Sequence, residues 1–181
     1  MPKQKKKATA QSTDIHQQLV QAVLSGDVRA LCRCLDAGAD PSACDEDSRP
    51  LIHSSASWSI AVELIKAGAD VTIRDEKGRT LLHWAAFADE RSAIEAILDR
   101  GADIEARDSQ GETALFDAVR GEALKAVKVL LERGADPCSK NSDGDTPRAY
   151  TEDDGMTGSH IRWEIEEAMG KRADGEEEVF E

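Results

Sequence analysis

Four histidines, four cysteines and a surplus of carboxylates are the side chains of this sequence that could do chemistry. His83 closes Thr80-Leu-Leu-His83 and His53 closes Pro50-Leu-Ile-His53, so each invites a general acid–base reading. The matching segment Thr113-Ala-Leu-Phe116 puts a phenylalanine at the same place. A position that accepts an apolar ring in one copy does not transfer protons in another. Cys32, Cys34, Cys44 and Cys138 contain no Cys-x-x-Cys pair, and no histidine lies where it would complete a zinc pattern. Cys32 and Cys34 stand two apart on a predicted helix and so do not share a face. They read as reduced thiols of an intracellular protein. The acidic runs Asp45-Glu-Asp47 and Glu152-Asp-Asp154 could hold a cation weakly, but they lack the calcium-loop pattern and read as solvated turns. There is no Gly-rich phosphate loop, nucleophile elbow or metal-binding helix pair. The expectation is a chain with no catalytic residue, no metal and no cofactor.

Composition narrows the partner. The chain of 181 residues carries 36 acidic and 23 basic side chains, for a net charge of -13. Lys3, Lys5, Lys6 and Lys7 crowd the start, so the rest is more acidic than the total suggests. Such a surface repels phosphate backbones and favours basic partners, which argues against nucleic acid at the folded face. Nothing in the sequence is long and apolar enough to span a membrane. No apolar stretch follows the basic start, so it does not read as a secretory signal. The lysine run is either a solvated tail or a nuclear-import patch, which gives a cytoplasmic location, or a nuclear one. Aromatic residues make up 4% of the chain and hydrophobic ones 40%, so Leu, Ile, Val and Ala must fill thin helical layers.

Self-similarity is the strongest signal. Gly-Ala-Asp recurs at 38–40, 68–70, 101–103 and 134–136, at spacings of 30, 33 and 33 residues. Thr80-Leu-Leu-His83, Thr113-Ala-Leu-Phe116 and Thr146-Pro-Arg-Ala149 keep the same phase. Each unit opens on a turn such as Asp75-Glu-Lys-Gly78. Thr80 then caps a helix to about Ala88. A second helix, about Ser92 to Arg100, carries Ile94, Ile97 and Leu98 at helical spacing and stops at Gly101. The stretch from Ala102 to Asp108 is extended. Two short helices cannot bury a face alone, so the units must stack.

Period and motif together resemble the ankyrin-repeat family, from about residue 14 to 168, with the closest copy running from Asp75 through Thr80-Leu-Leu-His-Trp-Ala-Ala86 to Asp103. The implied fold is an all-α repeat solenoid with short β-turn or hairpin connections and about five helix pairs. The domain then covers residues 12–169, in units of about 14–44, 45–74, 75–107, 108–140 and 141–169. Residues 1–11 and 170–181 are expected to be disordered tails, the second with Val179-Phe180 as a conceivable docking element. The resemblance also implies that His83 ties the start of its helix to a neighbouring loop. Leu82, Leu115 and Trp84 are assigned to packing.

The irregular units are informative too. In the first, Asp14 and Gln17 read as a capping box, and Leu19, Ala22, Val23, Val28, Leu31, Cys34 and Leu35 as core. The second is three residues short. Ser54-Ser-Ala-Ser-Trp-Ser59 replaces part of its first helix and the turn after it, with serines that weaken the helix. Trp58 there is either a local plug or an exposed contact. The fourth buries Val127, Leu130 and Leu131. The fifth ends in a helix over about His160–Met169 with Ile161, Ile165 and Met169 on one side.

The resemblance implies function as well: a non-catalytic, monomeric module, adaptor or inhibitor, that binds a protein on the concave face made by turn tips and first helices. The alternative is a substrate-recruiting part of an enzyme complex, or a secreted pathogen effector of the ankyrin type. The face so defined is centred on Phe87 and flanked by Arg79, Arg107 and Arg120. Arg74, Glu76, Lys77, Glu112 and Trp58 adjoin it, with Glu46, Asp47 and Arg49 as the second unit's contribution. Phe87 either anchors a partner or tucks against the next unit.

Overall fold

The computed structural model describes residues 3–47, 49–55, 57–151 and 156–176. They form an all-α, repeat-packed structure, with no sheet among the described residues. The chain divides into two compact units, residues 1–71 and 72–181.

The first unit holds α1 (Lys3–Ser25), α2 (Val28–Asp36) and α3 (Trp58–Ala67). Asp27 caps α2 by accepting the Ala30 N–H at 3.0 Å, and α1 packs on α2 through Leu19, Ala22, Val23 and Leu31. Cys34 is buried among them, as its register predicts, while Val28 and Leu35 are only half-buried. Asp14 lies inside α1 and is exposed, so it does not cap the helix. The three-residue deletion removes the first helix of the second repeat. Residues 51–54 make a single turn held by His53 N–H to the Pro50 carbonyl and Ser54 N–H to the Leu51 carbonyl, and Leu51 is fully buried in it.

The second unit is more regular. It holds α4 (Leu81–Phe87) with α5 (Arg91–Asp99), α6 (Ala114–Arg120) with α7 (Leu124–Glu132), a 3-10 helix (Pro147–Tyr150), and α8 (Met156–Glu176). Of the five repeats, three are therefore two full α-helices. The second replaces its first helix by the turn at 51–54, and the fifth has only a 3-10 turn there, where Pro147 lacks an N–H and Arg148 stands in place of leucine. First helices pack on one another, α4 on α6 and α6 on the 3-10 helix, while α5, α7 and α8 form the second layer. Leu82, Ala85, Ala86, Ile94, Ile97, Leu115, Ala118, Val127, Leu130, Ile161 and Ile165 are buried between the layers. Leu131 and Met169 are half-buried. Gly101 and Gly134 follow the second helices with φ of +83° and +93°, the left-handed conformation that ends a helix without a Cβ clash.

Both terminal helices reach into segments that the sequence assigns to the tails, α1 from Lys3 and α8 on to Glu176. Met156-Thr-Gly-Ser159 is the first turn of α8, so that helix begins ahead of the start near His160 expected from the sequence. Residues 1, 2 and 177–181, with Val179-Phe180, lie outside the described residues, as does Glu152-Asp-Asp154.

Candidate functional site

The turns that precede the first helices follow one rule. Asp75 Oδ1 accepts the N–H groups of Lys77 and Arg79, each at 2.9 Å, and Asp108 Oδ1 accepts those of Gln110 and Glu112, again at 2.9 Å. Asn141 Oδ1 does the same for Asp143 and Asp145 at 3.1 and 2.9 Å. A short side chain with an sp² oxygen at this position closes the hairpin tip locally. Neighbouring tips are joined by Ser109 N–H to the Lys77 carbonyl and Ser142 N–H to the Gln110 carbonyl, both 2.9 Å.

The arginines expected to face a partner are largely engaged within the chain. One Arg74 nitrogen donates to the carbonyls of Gly78 and Arg107, both at 2.6 Å. One Arg107 nitrogen donates to the carbonyls of Gly111 at 2.7 Å and Lys140 at 2.5 Å. Arg79 pairs with Asp75 at 2.9 Å and lies 3.8 Å over the ring of Trp84. Arg120 Nη2 donates to both oxygens of Glu112 at 2.8 and 2.7 Å, Nη1 reaches Asp117 at 3.2 Å, and the guanidinium lies 5.3 Å from the Tyr150 ring. The local basic spot expected from the sequence is thus a set of charges bound to internal acceptors.

Glu112 is not at the surface. Its side chain is 3% exposed beneath Arg120, with Asn141 Nδ2 at 3.4 Å. Burial of the Glu112 carboxylate is tolerated because the Arg120 nitrogen reaches both of its oxygens. Glu76 and Lys77 are exposed at their turn tip. Phe87 is 50% exposed at the end of α4, and its ring edge faces Gly121. Trp84 is 38% exposed, so it belongs to the surface and not to the packing expected of it. Trp58 is half-buried as the first residue of α3, in the other unit. There, Arg49 pairs with Asp45 and Asp47, and Glu46 is exposed.

His83 is structural. The Thr80 N–H donates to its Nδ1 at 3.1 Å, so Nδ1 is the acceptor and Nε2 carries the proton, which it donates to the Glu112 carbonyl at 3.1 Å. The Thr80 hydroxyl is also 2.9 Å from Nδ1. Burial lowers the histidine pKa, which keeps the ring neutral as both bonds require. In the next repeat Phe116 cannot do this. It meets Tyr150 edge-on at 5.8 Å, and Thr113 Oγ1 is left buried without a hydrogen-bond partner.

One residue of this face was not singled out from the sequence. Asp117 lies on α6 with a side chain 8% exposed; Oδ1 meets Arg120, and Oδ2 is buried without a hydrogen-bond donor. Burial is the main reason its pKa rises to about 6; Arg120 and Arg79 pull it down, while Glu112 and Asp108 push it up. The signal was present in the repeat: Asp117 stands 33 residues after Trp84 and 33 before Tyr150, in the row of first-helix positions that face outward.

These features define a class: a helical repeat scaffold whose surface carries exposed aromatics and arginines held by internal acceptors. Among the described residues no group of His, Cys, Asp and Glu is placed to hold a metal, and no helix is long and apolar enough to cross a membrane. The sequence profile described as ankyrin repeats (3 copies) matches residues 19–108 and 59–141. The chain belongs to the ankyrin-repeat family, a family of protein–protein interaction modules. A search of curated proteins finds no match to it.

Proposed function

We propose that the chain acts as an adaptor or inhibitor by holding a protein partner on the first-helix face of residues 72–181, with Phe87 at the centre. The observation that carries this is the pair of exposed rings on α4, Trp84 at 38% and Phe87 at 50%, beside buried neighbours. Large aromatic groups on a rigid helix give contact area at little entropic expense. Arg79 lies over Trp84, Arg120 ends the neighbouring α6, Arg74 and Arg107 belong to the straps of the adjoining turns, and Glu76 and Lys77 form the rim, where charge tunes approach more than affinity. Trp58, in the other unit, is at most a separate contact. The location proposed is the cytoplasm, or the nucleus; four free cysteines support a reducing compartment.

The test is a pair of site-specific photo-crosslinkers in the full chain, one at position 87 and one at position 128 on α7. Expression in the native cell should give a discrete adduct from position 87 and none from position 128. Equal yields, or adducts only at position 128, would overturn the assignment of the face.

A further inference from the structure

Charge is divided unevenly along the chain. Residues 72–181 contain 27 carboxylate side chains against 15 lysines and arginines, whereas residues 1–71 contain 9 against 8. The acidity thus belongs to the unit that carries the exposed rings. Within the face itself, Arg74 and Arg107 are taken up by backbone carbonyls and Arg79 by Asp75. That leaves Glu112 and Asp117 sharing the single guanidinium of Arg120. The sharing is unequal: the Glu112 contacts are 2.8 and 2.7 Å and the Asp117 contact is 3.2 Å. Asp117 is the under-neutralised carboxylate, and its Oδ2 lacks any donor.

The surroundings of Asp117 are suited to a cation. Trp84 precedes it and Tyr150 follows it at the same repeat position, and each ring already has a guanidinium near it, at 3.8 and 5.3 Å. Arg120 is 40% exposed at the last position of α6, so it can leave Asp117 while keeping both bonds to Glu112.

We propose that Asp117, between Trp84 and Tyr150, receives the side chain of a lysine or arginine from a basic segment of the protein partner. The incoming cation takes the weaker contact of Arg120 and supplies the donor that Oδ2 lacks. This rests on the binding face proposed above and names the chemistry of what binds there. Because the cation requires the ionised carboxyl, binding expels a proton wherever Asp117 is protonated, which its pKa of about 6 brings into a measurable range. The charged groups acting on it are Arg120, Glu112, Arg79 and Asp108, and Tyr150 of the 3-10 helix acts on Arg120.

The experiment is a titration of the isotope-labelled full chain, followed by amide NMR, with a capped peptide of alternating lysine and glycine. The same peptide with every lysine acetylated is the control. Shifts should gather on α4, α6 and the 3-10 helix with the lysine peptide and be absent with the acetylated one. Asp117→Asn, which keeps the shape of the side chain, should weaken binding about tenfold, and Glu132→Gln, at an exposed acid of α7 away from the face, less than about twofold. Wild-type affinity should fall as the pH is lowered from 7.5 to 5, and the Asp117→Asn profile should be flatter. Equal weakening by both variants would mean diffuse acidity and would overturn the site. Equal binding of both peptides on α4 and α6, or no shift there at millimolar peptide, would also overturn it, and the first of these would leave the face standing. Shifts confined to α5 and α7 would remove face and site together. A melting curve for each variant shows whether the fold is kept.

Discussion

His83 and Glu112 are 29 residues apart in sequence, yet the imidazole Nε2–H of one donates to the main-chain carbonyl of the other at 3.1 Å. This bond ties the start of α4 to the turn of the following repeat. Replacing His83→Phe, as Phe116 does naturally, leaves the Thr80 N–H and the Glu112 carbonyl without it. The expected loss is about 1–3 kcal/mol at pH 7.5. The pH sign follows from the lowered histidine pKa. Below about 6.5 the unfolded chain takes up a proton that the buried ring resists, so wild-type stability falls with pH and the gap to the variant narrows. Denaturant curves at pH 7.5 and 5.5 check this; an unchanged gap would show that the ring charges freely in the fold.

Asp117 has the opposite sign. Its carboxyl binds a proton more tightly folded than unfolded, with a pKa of about 6 against an ordinary 3.8. That contribution is present at low pH and is lost as pH rises through about 6. Asp117→Asn, which has no charge to bury, should therefore be more stable than wild type by about 1–3 kcal/mol at pH 7.5, by about a third of that at pH 4.5, and nearly equal to it at about pH 3. A variant less stable at pH 7.5 would mean that the Arg120 contact outweighs the burial of the charge.

Gly121 has an ordinary φ of -84°, so space and not backbone conformation selects glycine. A Cβ there would stand 2.6 Å from the Phe87 carbonyl oxygen and 3.2 Å from its ring. Gly121→Ala should cost about 1–3 kcal/mol, because main chain must move to admit the methyl group. A melting temperature equal to wild type would show that α4 and α6 part more easily than their packing suggests.

The Arg107 strap acts locally. Arg107→Ala removes two charge-assisted bonds, to Gly111 and Lys140, and should lower stability by about 1–2 kcal/mol, since an exposed arginine is partly compensated by water. The sharper readout is hydrogen exchange at the Ser142 amide, which bonds the Gln110 carbonyl at 2.9 Å across the same pair of turns. Faster exchange there, with α5 amides unchanged, is expected; uniform acceleration would place the strap in the global unfolding unit instead.

The period, the helix-ending glycines and the threonine starts were legible because each is imposed by local backbone geometry within a few residues. The loss of helix at 51–54 was foreshadowed by its serines. What escaped the sequence depends on contacts one repeat away. Arg74 and Arg107 look like free charges until the carbonyls 33 residues on are seen to accept from them. Glu112 looks like a turn-tip acid until Arg120 closes over it, and Trp84 looks like core beside Ala85 until Arg79 is found on its outer face. Asp117 could have been found by writing the repeats in register, where a carboxylate between a tryptophan and a tyrosine is the odd member.

The chain of straps has a bearing on how such a protein can change over time. Arg74 grips the carbonyl of Arg107, and Arg107 in turn grips the carbonyl of Lys140. In each link only the donor is a side chain; the acceptor is main chain, which every residue type supplies. A repeat that gains an arginine at this position can therefore fasten to whatever repeat follows it, with no matching substitution in the neighbour. Links of this kind let repeats be duplicated, lost or exchanged one at a time, while the outward positions between them drift toward new partners.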